Sequence, residues 1–177
     1  QSSDLFHHIQ IQHLLAQAYA LLGRAPEALA ALAEGARTED YAAHPYLRQA
    51  WRLRAADVLA LLGRDKEALR SARSAVTGEM SEPLSNKFAG VHGRWSAKVA
   101  VADGSNAEQV RGRLNRQLEA SQRLDCLDQA EVLVAKVWLD TRMGVPAEQE
   151  KTEMWRRLVS LPVGIGNELR LLGMLDL

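Results

Sequence analysis

Cysteine is almost absent from this chain. The lone Cys126 permits no internal disulfide, so the fold must hold without covalent cross-links. That usage fits a reducing compartment, and a cytoplasmic location is expected. Aromatic residues are scarce, at 5% of 177 residues. Alanine, leucine, arginine and glutamate dominate instead. Straight-chain residues lose little rotamer freedom in a helix, so the mix favours helix over strand. Net charge is absent too: 22 Lys and Arg balance 22 Asp and Glu. This removes the whole-chain argument for nucleic acid or an anionic membrane, though a local patch remains open. No apolar run reaches membrane-spanning length, and no signal-peptide pattern opens the chain, so no membrane partner is expected. The first residue is Gln1 rather than Met. The chain is therefore expected to be a piece of a longer protein, or a processed one.

What is present is a stretch that occurs twice. Ala20-Leu21-Leu22-Gly23-Arg24-Ala25-Pro26-Glu27-Ala28-Leu29 returns further on as Ala60-Leu61-Leu62-Gly63-Arg64-Asp65-Lys66-Glu67-Ala68-Leu69. Each copy reads as a helix end, a glycine turn and a second helix start. Glycine just past a helix end supplies a left-handed cap without steric cost. Pro26 suits a first helical turn, and Asp65 reads as an N-cap. Glu27 and Glu67 then lie near the positive end of the second helix.

Helical spacing of apolar residues extends this reading along the chain. Leu5, Phe6, Ile9, Leu15, Ala16, Tyr19 and Leu22 mark a first helix, and Ala28, Leu29, Leu32 and Ala36 a second. Pro45 opens a third, carrying Trp51, Val58, Leu59 and Leu62. Ala68, Leu69, Ala72, Ala75 and Val76 mark the fourth. Leu84, Phe88, Val91, Trp95, Val99 and Ala102 step by three or four after Pro83. Gly104 and Gly144 continue the series begun by Gly23 and Gly63, at nearly the same spacing. Ser105-Asn106-Ala107-Glu108 has the form of a capping box. Asp125 and Pro146 read as the openings of two further helices. The expected fold is a single all-α domain over 1–177, with hairpins at about 4–37, 45–77, 83–123 and 125–160. A short apolar terminal helix at about 167–175 completes it. An internal repeat of about 40 residues is the signature of a stacked helical array.

The first two hairpins resemble tetratricopeptide repeats. Ala16, Tyr19, Gly23 and Ala28 occupy that family's small, large, glycine and alanine places. Ala56, Leu59, Gly63 and Ala68 occupy them in the second copy. In the third, Ala97 and Gly104 fit while Ala100 stands at the large position; in the fourth, Gly144 is the matching residue. The period exceeds the family's usual length of roughly 34. Long repeats of this kind are similar to the helical superhelix of large bacterial transcription regulators of the LuxR and related types. The resemblance implies a right-handed superhelix of four such hairpins plus a C-terminal capping helix. It also implies protein or peptide binding rather than catalysis, in an interaction or sensor module of a regulator.

In that family the first helix of each hairpin lines a concave surface. The inward positions carried across are Gln10, His13, Gln17, Arg54, Asp57, Arg94, Lys98, Glu131, Trp138 and Arg142. Arg54, Arg94 and Lys98 would form its cationic middle and hold a carboxylate or an acidic segment. The competing reading of these residues is a set of ordinary solvated helix faces. His7, His8 and His13 lack the spacing and the companions of a metal site. Arg111, Arg113, Arg116 and Arg123 make a basic helix that suits phosphates, so a nucleic-acid-binding repeat is the alternative function. No aromatics interleave there for base stacking. Gly164 and Gly166 lack the strand and lysine of a phosphate loop. Cys126 has no evident activating base, and no Ser/His/Asp order stands out. No cofactor, metal or catalytic activity is expected. The terminal helix is apolar almost all round, so it should fold back over Trp155 and Leu158. A homodimer through the same helix is the other way to cover it.

Overall fold

The computed structural model describes residues 2–41, 45–77, 88–120, 126–161 and 173–175. Among them are eight helices and no strand. The chain divides into two compact units, Gln1–Glu79 and Met80–Leu177. The first contains α1 (Ser2–Leu21), α2 (Ala25–Tyr41), α3 (Pro45–Leu61) and α4 (Asp65–Val76). The second contains α5 (Ala89–Asp103), α6 (Ala107–Glu119), α7 (Cys126–Met143) and α8 (Glu148–Val159).

One backbone device recurs at four turns. Gly23, Gly63, Gly104 and Gly144 all have positive φ, at 71°, 71°, 62° and 71°. In each turn the glycine N–H donates three residues back and the next N–H donates five residues back. The first pair is Gly23 N to Ala20 O at 3.0 Å and Arg24 N to Tyr19 O at 2.8 Å. The last is Gly144 N to Thr141 O at 3.2 Å and Val145 N to Asp140 O at 2.8 Å. This is the Schellman pattern, which satisfies carbonyls that a helix end otherwise leaves bare. In the two near-identical copies the residue after glycine also ties the turn to the next helix. Arg24 donates to Glu27 at 2.8 and 2.6 Å, and Arg64 to Glu67 at 2.7 Å twice. Arg24 also lies 4.8 Å from the centre of the Tyr19 ring.

Three expected helix starts differ. Asp65 is the first residue of α4, not its cap; Arg64 holds that place, and its side chain makes no capping bond to the helix backbone. Ser105 and Glu108 do not form a capping box, because Asn106 is the cap residue, with φ 60°. Glu108 pairs with Arg111 instead, at 3.6 Å. Pro146 precedes α8 by two residues, and Ala147 is its cap. The Pro83 and Asp125 openings lie outside the described residues. So does most of the expected terminal helix, and its last residues, 173–175, form a turn and bends.

The first unit packs α1, α2 and α3 around small side chains. Ile9, Ala16 and Ala20 of α1 meet Ala28, Ala31 and Leu32 of α2, and Trp51, Ala55 and Val58 of α3. Alanine at the contacts lets helix axes approach, and the large Trp51 then fills the remaining volume. Its ring occupies the space where a Cβ on Gly35 of α2 would stand. In the second unit α7 is the central element, in contact with α5, α6 and α8. Val132 to Asp140 of α7 are all buried. Leu114 of α6 and Met154 of α8 are fully buried beside them. Each such side chain contributes about 1.5–3 kcal/mol by leaving water. Leu15, Leu22 and Trp155, expected on core stripes, are exposed.

Two glycines should respond differently to the same added methyl group. A Cβ on Gly63 would meet nothing within 4 Å, so Gly63→Ala or Gly63→Val is strained only by its φ. The expected cost is about 1 kcal/mol for Ala and more for Val, with Gly63→Asn cheaper. Gly35→Ala overpacks the Trp51 ring and should cost about 1–3 kcal/mol. Thermal melts of the four variants check both; a Gly63→Val protein that melts like the parent contradicts the cap reading.

Candidate functional site

The residues expected on one concave surface fall into two groups, one in each unit. In the first unit, α1 carries Gln10, His13 and Gln17, and α3 carries Arg54 and Asp57. Gln10 is exposed, while Gln17 and Arg54 are partly buried. His13 and Asp57 are buried. The His13 imidazole is pushed down to about 4, by burial first and by Arg54 next, with Asp57 opposing both. So α1 and α3 do bring His13, Arg54 and Asp57 together, but as a packed contact. His13 Nε2 makes no hydrogen bond.

In the second unit, α5 carries Arg94 and Lys98, and α7 carries Glu131, Trp138 and Arg142. Arg94 is not the exposed cation that was expected. It is 2% exposed, with its Nε 3.5 Å from Glu131 Oε2. The reason lies beside it: Gly90 on α5 has no side chain, and a Cβ there would collide with Glu131. The glycine therefore lets the acid close on the α5 helix. Gly90 N also donates to Asp128 Oδ1 at 2.8 Å. Of the cationic trio Arg54, Arg94 and Lys98, Arg54 belongs to the first unit, and in the second Arg94 is paired with Glu131.

Two cations rest on tryptophans instead. Lys98 Nζ lies 5.2 Å from the centre of the Trp95 ring, and the Arg142 guanidinium lies 5.4 Å from that of Trp138. At such distances the ring face attracts the cation. Arg142 is exposed and Lys98 partly buried. Trp138 itself is buried, and its indole N–H donates to Gly173 O at 3.0 Å. Met174, the next residue, is fully buried. The described tail residues therefore lie on Trp138 of α7. Trp155, over which the tail was expected to fold, is 48% exposed.

A charged network went unseen in the sequence. Asp140 of α7 is wholly buried and accepts from Lys136 Nζ at 2.6 Å and Arg111 Nε at 2.7 Å. Lys136 also reaches Glu150 of α8 at 3.2 Å. The signal available was Lys136 and Asp140 four apart on an otherwise apolar stretch. Arg111 belongs by sequence to the basic row that suits phosphates, and its bond to Asp140 removes it from that row. Arg113 is partly buried, and burial with Arg116 nearby pushes its guanidinium down. Arg123 lies outside the described residues. His92 of α5 is a second buried imidazole, pushed down to about 4 by burial and then by Arg113. No group of His, Cys, Asp and Glu among the described residues could hold a metal. No described helix is long and apolar enough to cross a membrane.

Comparison with family models, with curated proteins and with solved structures finds no match to this chain.

The two buried imidazoles fix the sign of an acid response. Unfolded histidine takes a proton near pH 6.5, while folded His13 and His92 resist it until about 4. In that window the unfolded chain binds more protons, so their contribution is full above 6.5 and is lost as pH falls. Melting temperature should drop between pH 6.5 and 4, and a His13→Gln, His92→Gln double variant should flatten the drop. An equally steep profile in the variant contradicts the assignment.

The Trp138 contact makes a second claim. Trp138→Phe keeps the ring but leaves Gly173 O without its donor, at a cost of about 1 kcal/mol. The expected result is a melting temperature lower by about 2–4 °C and faster hydrogen exchange at residues 173–175. No change in either would show that the bond does not hold the tail.

Proposed function

We propose that the chain is a tetratricopeptide-like scaffold that binds protein or peptide, built as a right-handed stack of four helical hairpins. The observation that carries this reading is the recurrence of one helix–glycine–helix unit. Gly23, Gly63, Gly104 and Gly144, near-evenly spaced along the chain, all adopt the same left-handed cap. Repeats of this kind present successive first helices as one extended face. The residues on those helices are polar or aromatic at the positions in question. The face of α5 and α7 is the part best suited to a partner. Lys98 and Arg142 are held over tryptophan rings, so an acidic segment laid there meets oriented cations at low entropic cost. The long period and the degenerate later copies favour a host such as a large bacterial transcription regulator.

A displayed library of random peptides tests the reading. Enrichment of extended sequences rich in Asp and Glu is expected. Lys98→Ala with Arg142→Ala should weaken their capture by about tenfold or more while the melting temperature stays near the parent's. Arg94 is left unchanged in this variant, because removing it would leave Glu131 without its cation in a buried site. Binding that survives the double replacement rules out this face, and a library with no enriched acidic sequence rules out the partner class.

A further inference from the structure

Helix α1 is apolar on two sides, and only one of them is covered. From Leu5 to Gly23 the chain holds no Asp, Glu, Lys or Arg. Ile9, Ala16 and Ala20 face the core shared with α2 and α3. Ile11, Leu14, Leu15, Leu21 and Leu22 are all exposed, from 41% at Leu15 to 71% at Leu22. Ala18, between them, is exposed as well. Positions 11, 14, 15, 18, 21 and 22 form one continuous stripe at helical spacing. A helix apolar all round is normally a buried one.

The internal repeat says what covers such a stripe. In the next copy of the repeat, with Gly63 aligned on Gly23, the stripe becomes Trp51, Arg54, Ala55, Val58 and Leu61 of α3, with Leu62 just past its end. There Trp51, Ala55 and Val58 are buried against α1 and α2, and Leu61 and Leu62 pack on the same cluster. The α2 side of that contact is a small-residue stripe: Ala28, Ala31, Leu32 and Gly35, the last lying against the Trp51 ring. On α3, then, this stripe is the face that receives the preceding helix pair. We propose that the α1 stripe is the same receiving face left open, and that its occupant is a helical hairpin whose second helix carries an alanine-rich stripe like that of α2. A second copy of this chain cannot offer α2 for the purpose, because α3 already covers Ala28, Ala31 and Leu32 in each copy. The matching residues of α4, Ala68, Ala72 and Ala75, are fully buried too. Ile11 stands where α3 has the larger Trp51, so the incoming helix has room for more than glycine at the facing position. This inference is independent of what the α5–α7 face binds.

The chain's own first hairpin is the probe. Residues 1–40 repeated ahead of Gln1 keep the register of the repeat and place a second α2 stripe before α1. Expected are a higher melting temperature and amide exchange in the original α1 slowed by about tenfold or more. Leu15→Glu or Leu22→Glu in the original α1 replaces a side chain already exposed, so the unextended protein should melt as before. In the extended protein the same change should cancel both gains. An extended protein with the parent's melting temperature and unaltered α1 exchange overturns the proposal. So does an unextended protein that sediments as a dimer and becomes a monomer with Leu15→Glu, since the occupant would then be a second copy.

Discussion

Four left-handed glycines are the constraint on which the rest of the chain depends. Each stops a helix and satisfies its last carbonyls, and the next helix begins two to four residues further on. Because a Cβ at Gly23, Gly63, Gly104 or Gly144 would meet open space, packing does not demand glycine there; the backbone angle alone does. The near-constant spacing then sets the length of every helix pair. Repeated units joined by the same turn bring small residues to the same relative places. Ala16 and Ala28 around the first turn have counterparts in Ala56 and Ala68 around the second, and all four are fully buried. Close approach of helices thus follows from the turn and the alanines together.

That explains which parts of the structure were legible in the sequence. Glycine needed for positive φ leaves a residue-level mark, and so does the apolar spacing of a helix. The all-helical character and the glycine turns could therefore be read. Cap chemistry was less legible, because a serine or aspartate at the right distance does not determine which residue bends. Asn106 takes the left-handed conformation one residue beyond Ser105, and the expected box has no geometry to form. Side-chain partners across helices were legible least. Arg94 reads as a solvated cation until Gly90 is seen to admit Glu131 beside it. Likewise Leu15 and Leu22 sit at core spacing on α1, yet the helix has more apolar faces than its neighbours can cover.

The buried charges of the second unit show why pairing matters more than position. Asp140 is taken wholly out of water, which for a lone carboxylate would cost several kcal/mol. Two cations from different helices, Arg111 of α6 and Lys136 of α7, offset that cost at 2.7 and 2.6 Å. Lys136 in turn reaches Glu150 of α8. The gain over a well-packed apolar cluster is small in energy, but the geometry is selective. Apolar contacts tolerate a slide of one helix along another, whereas these charges meet their partners in one register only. The network therefore constrains how α6, α7 and α8 sit against one another, a task the short helices α6 and α8 could not perform with two buried apolar residues each.

The apolar surfaces of α1 and α7 meet opposite fates within the same kind of element. On α7 the chain closes over its own tryptophan: Gly173 accepts the Trp138 N–H and Met174 is sealed from solvent. The indole's one polar group is satisfied by a backbone carbonyl, so the contact can be both apolar and hydrogen-bonded. On α1 no such closure occurs, and five large apolar side chains face water. Exposing them forfeits burial that α3 obtains from the equivalent stripe, and nothing in α1 itself offsets the loss. From Leu5 onward its polar residues are uncharged, and exposed Gln10 lies outside the apolar stripe. A helix so composed is stable in water only as far as its covered side allows. That is the physical reason to treat its open side as an interface and the polar turns around it as surface.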